Sequence, residues 1–249
     1  MDKLRDRVAV ITGGARGIGG EIASAFAREG ADVAVADVLD EADASPVLEA
    51  IAAAGRRGLY VRTDVSDEAQ VKAMVDRTTA ELGPVDTLVN NAGTMGQFWF
   101  RDMPVAEWDR VIGVNLRGVF LCTHFVLPGM LDRGFGIIIN TASQLGQIGG
   151  AEMAHYTASK AGVIGFTKAL AREVSNQGVR VNAIAPGPIL TEMMAGETEE
   201  WKSRKLAELP IGRFGEVHEV APTAVFLASD DSSYYVGQTL GPNGGDVML

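Results

Sequence analysis

The stretch RVAVITGGARGIGG, residues 7–20, joins a short apolar segment to a glycine-rich turn and the first residues of a helical pattern. Gly13, Gly17 and Gly19 lie within the turn. Glycines at a strand-to-helix turn let the backbone approach a pyrophosphate, whose negative charge the helix N-terminus stabilises. Glycine triplets also occur in ordinary turns, but the strand-to-helix setting favours a dinucleotide site.

Short apolar runs alternate with longer amphipathic ones along the rest of the chain. The strand candidates are 7–11, 32–37, 58–64, 86–90, 136–142 and 179–185, with a last short one at 238–240. The helical candidates are 17–29, 40–54, 67–82, 104–132, 154–176 and 216–229. Nearly continuous apolar strands are typical of a parallel sheet that helices cover on both faces. The pattern predicts a single α/β domain over residues 1–249, with a doubly wound parallel sheet of about seven strands.

Composition and net charge exclude several kinds of binding partner. The 249 residues are 47% hydrophobic and 22% charged, as in ordinary globular proteins, and the formal net charge of −10 argues against nucleic acid or an anionic membrane. Cys122 is the only cysteine and the three histidines have no close ligand spacing, so we expect neither a disulfide nor a metal site. The N-terminus lacks a secretory pattern and the apolar runs fall short of the roughly 18 residues of a membrane span, so we expect a cytoplasmic protein.

An acid at the end of the second strand bears on the choice of cofactor. Asp37 follows Gly19 by eighteen residues, a distance at which a carboxylate can bind both hydroxyls of an adenosine ribose. The same carboxylate would repel a 2′-phosphate. Arg16 opposes this, because a guanidinium in the turn could pair with that phosphate, but Val38 offers no second cation. The balance predicts NAD rather than NADP.

Four motifs, in this order along the chain, resemble those of the classical short-chain dehydrogenases/reductases. They are TGGARGIG (12–19), NNAG (90–93), YTASK (156–160) and PGPILT (186–191). The resemblance covers nearly the full chain, and residues 156–173 are especially similar to 3-oxoacyl-acyl-carrier-protein reductases. It implies a Rossmann-type fold, an oxidoreductase, and a homotetramer built by helices near 104–132 and 154–176 and by the C-terminal strand.

The resemblance also implies the residues of the site. The catalytic residues would be Asn115, Ser143, Tyr156 and Lys160. The cofactor would contact Gly13, Arg16, Gly17, Ile18, Gly19, Asp37, Asp64, Val65, Asn91, Gly93, Tyr156, Lys160, Pro186, Gly187, Ile189 and Thr191. Asp37 departs from the basic selectivity typical of the NADP-dependent acyl-carrier-protein reductases.

The chemistry of alcohol and ketone interconversion gives these residue types their roles. The nicotinamide exchanges the hydride, so the protein must handle the proton. A free tyrosine has a pKa of about 10, and we expect the Lys160 ammonium, one helical turn from Tyr156 on the same face, to lower it. Ser143 would bond the substrate oxygen, and Asn115 with a water would connect Lys160 to solvent. His155 is expected to face the substrate or solvent rather than to act as the base.

Three segments are expected at the mouth of the cleft: residues 94–103, residues 144–155, and residues 188–215, which we call the lid segment. Because ligands bind beyond the carboxyl ends of such strands, we interpret the lid segment as a substrate lid; a surface excursion without a function is the alternative. The candidate substrate residues are Ser143, Gln144, Glu152, Trp99 and Met193. Their mixture of amides and apolar groups suits a secondary alcohol, a cyclic ketone or a sugar derivative.

Three hypotheses follow for the function. The first is an NAD(H)-dependent oxidoreductase that interconverts a secondary alcohol, polyol, sugar or cyclic alcohol and its ketone, with Tyr156 as general acid/base. The second is an NADPH-dependent 3-oxoacyl-thioester reductase, which a comparison of the two cofactors would distinguish. The third is a non-catalytic dinucleotide-binding regulator. The complete set of catalytic residues argues against it, because a regulator would not need them.

Overall fold

Seven strands form one parallel sheet in the computed structural model of the protein, which describes residues 2–194, 196 and 198–249 but not the side chain of Met193. The strands are Val8–Thr12 (β1), Asp32–Asp37 (β2), Gly58–Arg62 (β3), Thr87–Asn90 (β4), Gly136–Thr141 (β5), Val179–Ile184 (β6) and Thr239–Leu240 (β7). They lie in the order β3-β2-β1-β4-β5-β6-β7, and every neighbouring pair is parallel. Each strand lies within its predicted range or one residue beyond it.

Helices connect the strands. They are Gly17–Arg28 (α1), Glu41–Ala53 (α2), Glu68–Glu81 (α3), Val105–Ile112 (α4), Gly118–Arg133 (α5), Leu145–Ile148 (α6), Ala154–Val174 (α7), Glu199–Glu208 (α8) and Val217–Ala228 (α9). The range 104–132, predicted as one helix, is divided by a π-helical segment at Gly113–Arg117. The single turn α6 was not predicted, because four residues are too few to show a helical period.

Two apolar layers hold the helices against the sheet. Strands β1, β2, β4 and β5 are buried along their whole length. Phe26 of α1 and Leu227 of α9 pack on one face of the sheet, while Met74 of α3 and Met130 of α5 pack on the other. Alternate residues of a strand point to opposite faces, so an apolar run buries both. The prediction of a doubly wound parallel sheet is confirmed.

The order of the strands determines where a ligand can bind. The chain passes from β1 to β2 on one side and later places β4 on the other side of β1. At such a reversal the loops that follow neighbouring strands separate and leave a crevice at the carboxyl edge of the sheet. The glycine turn after β1 and the segment after β4 both lie at this crevice, where Asn91 joins them by hydrogen bonds.

The helical stretch Val105–Arg133 is long and apolar enough to cross a membrane by length and composition. It packs in the protein against α3, α7 and the strands β4 and β5, as a core helix of a globular protein does. In the part of the chain that the structure describes, no other helix meets the same criteria.

The lid segment departs from the alternation of strands and helices. Its described part contains a 3-10 turn at Glu192–Met194 and helix α8. A parallel bridge between Ile189 and Gly215 joins the two ends of the segment. The segment is therefore a closed excursion from the sheet, attached at its base next to β6.

Candidate active site

A cleft of about 1160 Å³ opens at the carboxyl edge of the sheet. Its lining extends from the glycine turn after β1 to helix α8 of the lid segment. Most of the predicted site residues line it: Gly13, Arg16, Gly17, Ile18, Gly19, Asp37, Asp64, Val65, Asn91, Gly93, Ser143, Gln144, Glu152, Tyr156, Lys160, Pro186, Gly187, Ile189 and Thr191. Residues that are far apart in sequence thus share one cavity.

One side of the glycine turn packs against the protein, and its other side faces the cleft. A Cβ atom on Gly19 would lie 2.1 Å from the carbonyl oxygen of Gly13, so only glycine fits there. Asn91 Nδ2 donates to the carbonyl oxygens of Thr12 and Gly13 at 3.1 and 3.0 Å. Gly17 has a φ of +57°, and the nearest atom to an added Cβ is Thr191 Cγ2 at 3.9 Å. The open side of the turn, beside the side chains of Arg16 and Ile18, fits a dinucleotide pyrophosphate at the N-terminus of α1.

Asp37 lies beside the glycine turn with its carboxylate fixed by the backbone. Its Oδ2 accepts a hydrogen bond from Ala15 N at 3.0 Å, and its Oδ1 accepts one from Leu39 N at 3.3 Å. Val38, the next residue, is 54% exposed. Arg16 forms an ion pair with Glu192 of the lid segment. Arg16, the only cationic residue of the glycine turn, is therefore paired with a carboxylate of the lid segment.

Tyr156, Lys160 and Ser143 meet at the inner end of the cleft. Tyr156 is in the first turn of α7, half-buried, and Lys160 follows one turn later with 3% exposure. Lys160 Nζ donates to the carbonyl oxygen of Thr141 at 2.7 Å and lies 5.7 Å from the centre of the Tyr156 ring. Ser143 hydrogen-bonds Tyr156, and its Oγ also accepts from Leu145 N at 3.2 Å. The hydroxyls of Ser143 and Tyr156 can thus bind the same substrate oxygen.

The environment within the protein shifts the pKa values of Tyr156 and Lys160. Burial raises the pKa of Tyr156, and the hydrogen bond with Ser143 opposes this only in part. Burial lowers the pKa of Lys160 to about 8. Desolvation thus dominates at the phenol when no cofactor is bound, and the lowering of the Tyr156 pKa by Lys160 stays a prediction.

Asn115 lies behind the cleft rather than on its surface. It is fully buried within the π-helical segment Gly113–Arg117, a type of turn that is frequent at functional sites. Its Oδ1 accepts from Thr94 N at 2.8 Å, and its Nδ2 donates to Thr94 O at 2.9 Å and to Ser159 Oγ at 3.1 Å. The side chain thus connects the segment after β4 to α7, directly beside Lys160. The proton relay through Asn115 stays a prediction.

Comparison with known proteins identifies the family. The family model described as enoyl-(acyl carrier protein) reductase matches residues 13–246. A 3-oxoacyl-[acyl-carrier-protein] reductase of Staphylococcus aureus is 42% identical over 240 residues, which are 96% of this chain and 98% of the relative. The chain belongs to the short-chain dehydrogenase/reductase family. The predicted resemblance is confirmed, and the protein is an oxidoreductase.

Other members of the short-chain dehydrogenase/reductase family act on different molecules. A cis-4-hydroxycyclohexanecarboxylate dehydrogenase of Sinomonas cyclohexanicum is 44% identical over 245 residues, with 98% of each chain covered. The crystal structure of levodione reductase matches with a TM-score of 0.92 and 39% identity over 97% of both chains. Relatives of similar identity thus include a 3-oxoacyl-[acyl-carrier-protein] reductase, a levodione reductase and a dehydrogenase whose name denotes a cyclic alcohol.

The sequence predicted positions at the mouth of the cleft for three residues, and the outcome differs from one residue to the next. Trp99 is 59% exposed and is not part of the cleft lining. The side chain of Met193 lies outside the described part of the chain. His155 is fully buried, and its Nε2 lies 3.6 Å from Glu107 Oε1. It therefore faces neither the substrate nor solvent, because α7 turns this side of its first turn towards α4.

The sequence reasoning missed the residues that support the site. Arg110 donates to Thr94 Oγ1 and to the carbonyl oxygen of Met95, and so stabilises the segment that Asn115 holds. Glu192 pairs with Arg16, and Asp246 contacts two residues of the cleft. No motif or periodicity indicates such partners, because each pair joins segments that only the folded sheet brings together.

Proposed function

We propose that the protein is an NAD(H)-dependent dehydrogenase that interconverts a secondary alcohol and its ketone. The substrate class is a polyol, a sugar derivative or a cyclic alcohol. The proposal rests on one arrangement: the hydrogen-bonded pair of Ser143 and Tyr156 opens into the same cleft as the glycine turn and Asp37. The catalytic proton and the cofactor's ribose thus have protein partners within one cavity.

In this proposal each residue has one chemical task. The bound nicotinamide supplies or accepts the hydride. Tyr156 exchanges the proton with the substrate oxygen, which Ser143 holds by a second hydrogen bond. Because burial raises the pKa of Tyr156, the phenol is protonated at neutral pH and is ready to donate in the direction of reduction. Oxidation requires the phenolate, so turnover in this direction should rise with pH.

The preference for NAD rests on charge at the end of β2. The Asp37 carboxylate lines the cleft, and in this proposal it accepts hydrogen bonds from the ribose hydroxyls. A 2′-phosphate at this place would meet that carboxylate, and Arg16 has Glu192 as its partner instead. Val38 adds no positive charge.

The second candidate is an NADPH-dependent 3-oxoacyl-thioester reductase. It is favoured by the 42% identity to the 3-oxoacyl-[acyl-carrier-protein] reductase of Staphylococcus aureus. The two candidates share the catalytic residues and differ in the cofactor and in the group next to the reacting carbon.

The test compares kcat/KM for NAD and NADP with a panel of secondary alcohols, and for the reduced cofactors with a 3-oxoacyl thioester. We expect NAD to be preferred at least about tenfold, and Asp37→Ser to reduce this preference by about tenfold or more, since the repulsion of the 2′-phosphate is lost. An NADPH preference of about tenfold in the wild type would overturn the proposal. Tyr156→Phe is expected to abolish turnover and to retain dinucleotide binding.

We also propose a cytoplasmic homotetramer, assembled through α5 and α7 and through the C-terminal strand. The support from the chain is the apolar surface that is exposed on α5 and next to β7. Phe120 on α5 is 50% exposed and stacks on His124, and Tyr234 before β7 is 98% exposed. The fully buried, free thiol of Cys122 is compatible with a reducing compartment.

A further inference from the structure

Gln144 follows the catalytic serine directly and has an unusual environment. It lines the cleft, and it is only 4% exposed. Its Nε2 donates a hydrogen bond to Asp246 Oδ2, far away in sequence. Asp246 is itself 8% exposed and forms an ion pair with Lys205 of α8, with Nζ and Oδ2 separated by 2.6 Å.

The partners of Asp246 fix the orientation of the Gln144 amide. A carboxylate can only accept hydrogen bonds, so the amide must direct its NH₂ group to Asp246. Burial would lower the pKa of Lys205, but its hydrogen bonds with Asp246 and Glu208 raise it, so the ammonium stays charged beside Asp246 at neutral pH. The amide therefore cannot rotate without placing its oxygen against a carboxylate.

This orientation leaves the other end of the amide without a partner. Gln144 Oε1 is shielded from solvent and accepts no hydrogen bond from any described residue. Leaving a buried acceptor unpaired is unfavourable, and a ligand that donates to it removes the penalty. An amide oxygen accepts only, so the complementary ligand group must be a donor such as a hydroxyl.

We propose that Gln144 is a specificity-determining residue that accepts a hydrogen bond from a second hydroxyl group of the substrate. This inference rests on the proposed function. Ser143 and Gln144 are adjacent in the chain and both line the cleft, and we assign the second hydroxyl to the carbon next to the reacting one. The substrate class is a vicinal diol and its product is the α-hydroxyketone.

The reaction balances without a further reagent. The carbinol carbon loses its C–H bond as a hydride to oxidised NAD, and the hydroxyl proton passes to the Tyr156 phenolate while the C=O bond forms. The second hydroxyl keeps its hydrogen and donates it to Gln144 Oε1. A 3-oxoacyl thioester has a methylene group next to its ketone and then a carbonyl oxygen, neither of which can donate to Gln144. The same residue therefore distinguishes between the two candidate functions.

The test uses NADH formation with cis- and trans-cyclohexane-1,2-diol and with cyclohexanol, which differ by one hydroxyl. We expect kcat/KM for at least one diol to exceed that for cyclohexanol by about tenfold or more. Gln144→Leu is expected to bring this ratio close to one, and Gln144→Met serves if the leucine variant does not fold. Asp246→Asn should reduce the ratio in part, because an asparagine can also accept and no longer fixes the amide.

The matched control is Gln177→Leu, an exposed amide that donates to the backbone oxygen of Glu173. It is expected to leave both rates unchanged. A wild-type ratio near one, with cyclohexanol oxidised by NAD, would overturn the role of Gln144 and leave the proposed function in place. A diol preference that persists in Gln144→Leu would also overturn it. Absence of turnover with every alcohol of the panel would overturn both.

Discussion

Lys160 is a basic side chain almost completely removed from water, and this has a cost in stability. Burial lowers its pKa to about 8, from an ordinary value of 10.5. Between these values the unfolded chain binds more protons than the folded one, so the contribution of Lys160 to the free energy of unfolding rises with pH. Below pH 8 the full penalty of the buried charge is present, about 3 kcal/mol.

Replacement of this lysine should therefore produce a more stable but inactive protein. At pH 7 we expect Lys160→Met to unfold at higher denaturant concentration than the wild type, with the difference shrinking towards pH 10. Urea unfolding followed by circular dichroism at several pH values measures this. Lys168→Met, at an exposed position of the same helix, is the control and should show no such trend. A variant less stable than the wild type at pH 7 would contradict the explanation.

The sequence predicted the positions of individual side chains correctly where residues are close along the chain or belong to a motif. Tyr156 and Lys160 are one helical turn apart, and the structure places both in the cleft. Asp246 could not be found in this way, because its partner Gln144 is 102 positions away and only folding joins them. His155 was misplaced because the side of the helix that faces α4 depends on packing, which the local pattern does not contain.

Among the elements, the single turn α6 connects Ser143 to helix α7. It follows Ser143, and Gly146 within it touches the backbone of α7. An added Cβ would lie 2.7 Å from Lys160 C and 2.8 Å from Ala161 N, closer than such atoms approach in proteins. A side chain here must push α6 away from α7, and with it Ser143 away from Tyr156.

We therefore expect Gly146→Ala to reduce kcat by about tenfold or more and to lower stability by about 1–3 kcal/mol. Thermal unfolding and alcohol oxidation measure the two effects. Gly129→Ala in α5 is the control, since its Cβ would meet only the flexible end of Arg133 at 3.3 Å, and alanine favours the helix by up to about 1 kcal/mol. Equal activities of the two variants would show that α6 does not position Ser143.

The long elements were predictable and the short ones were not. Strands β2 and β5 contain the apolar runs VAVA and III, and each ends within one residue of its predicted limit. The π-helical segment around Asn115 has the same apolar pattern as the α-helices beside it, so no periodicity distinguishes it. Helix α8 is polar and has no buried residue, which removes the signal that reveals an amphipathic helix.

For the whole molecule, the exposed apolar groups on α5 and before β7 are the basis of a prediction about assembly. We expect light scattering to give four times the chain mass of 26.3 kDa. Phe120→Glu is expected to weaken this assembly, because it places a charge at a contact that excludes water. Lys72→Glu, on an exposed site of α3, should leave the mass unchanged. A monomeric wild type would reject the tetramer.

The cleft also depends on the completed sheet, which has a consequence for folding. Strands β1 and β4 are neighbours, although α1, β2, α2, β3 and α3 all lie between them in sequence. Parallel pairs of this kind form late, because long loops must close before the contacts that stabilise them exist. Helical signal should therefore recover early after dilution from denaturant, while turnover returns only when the last parallel strand has paired.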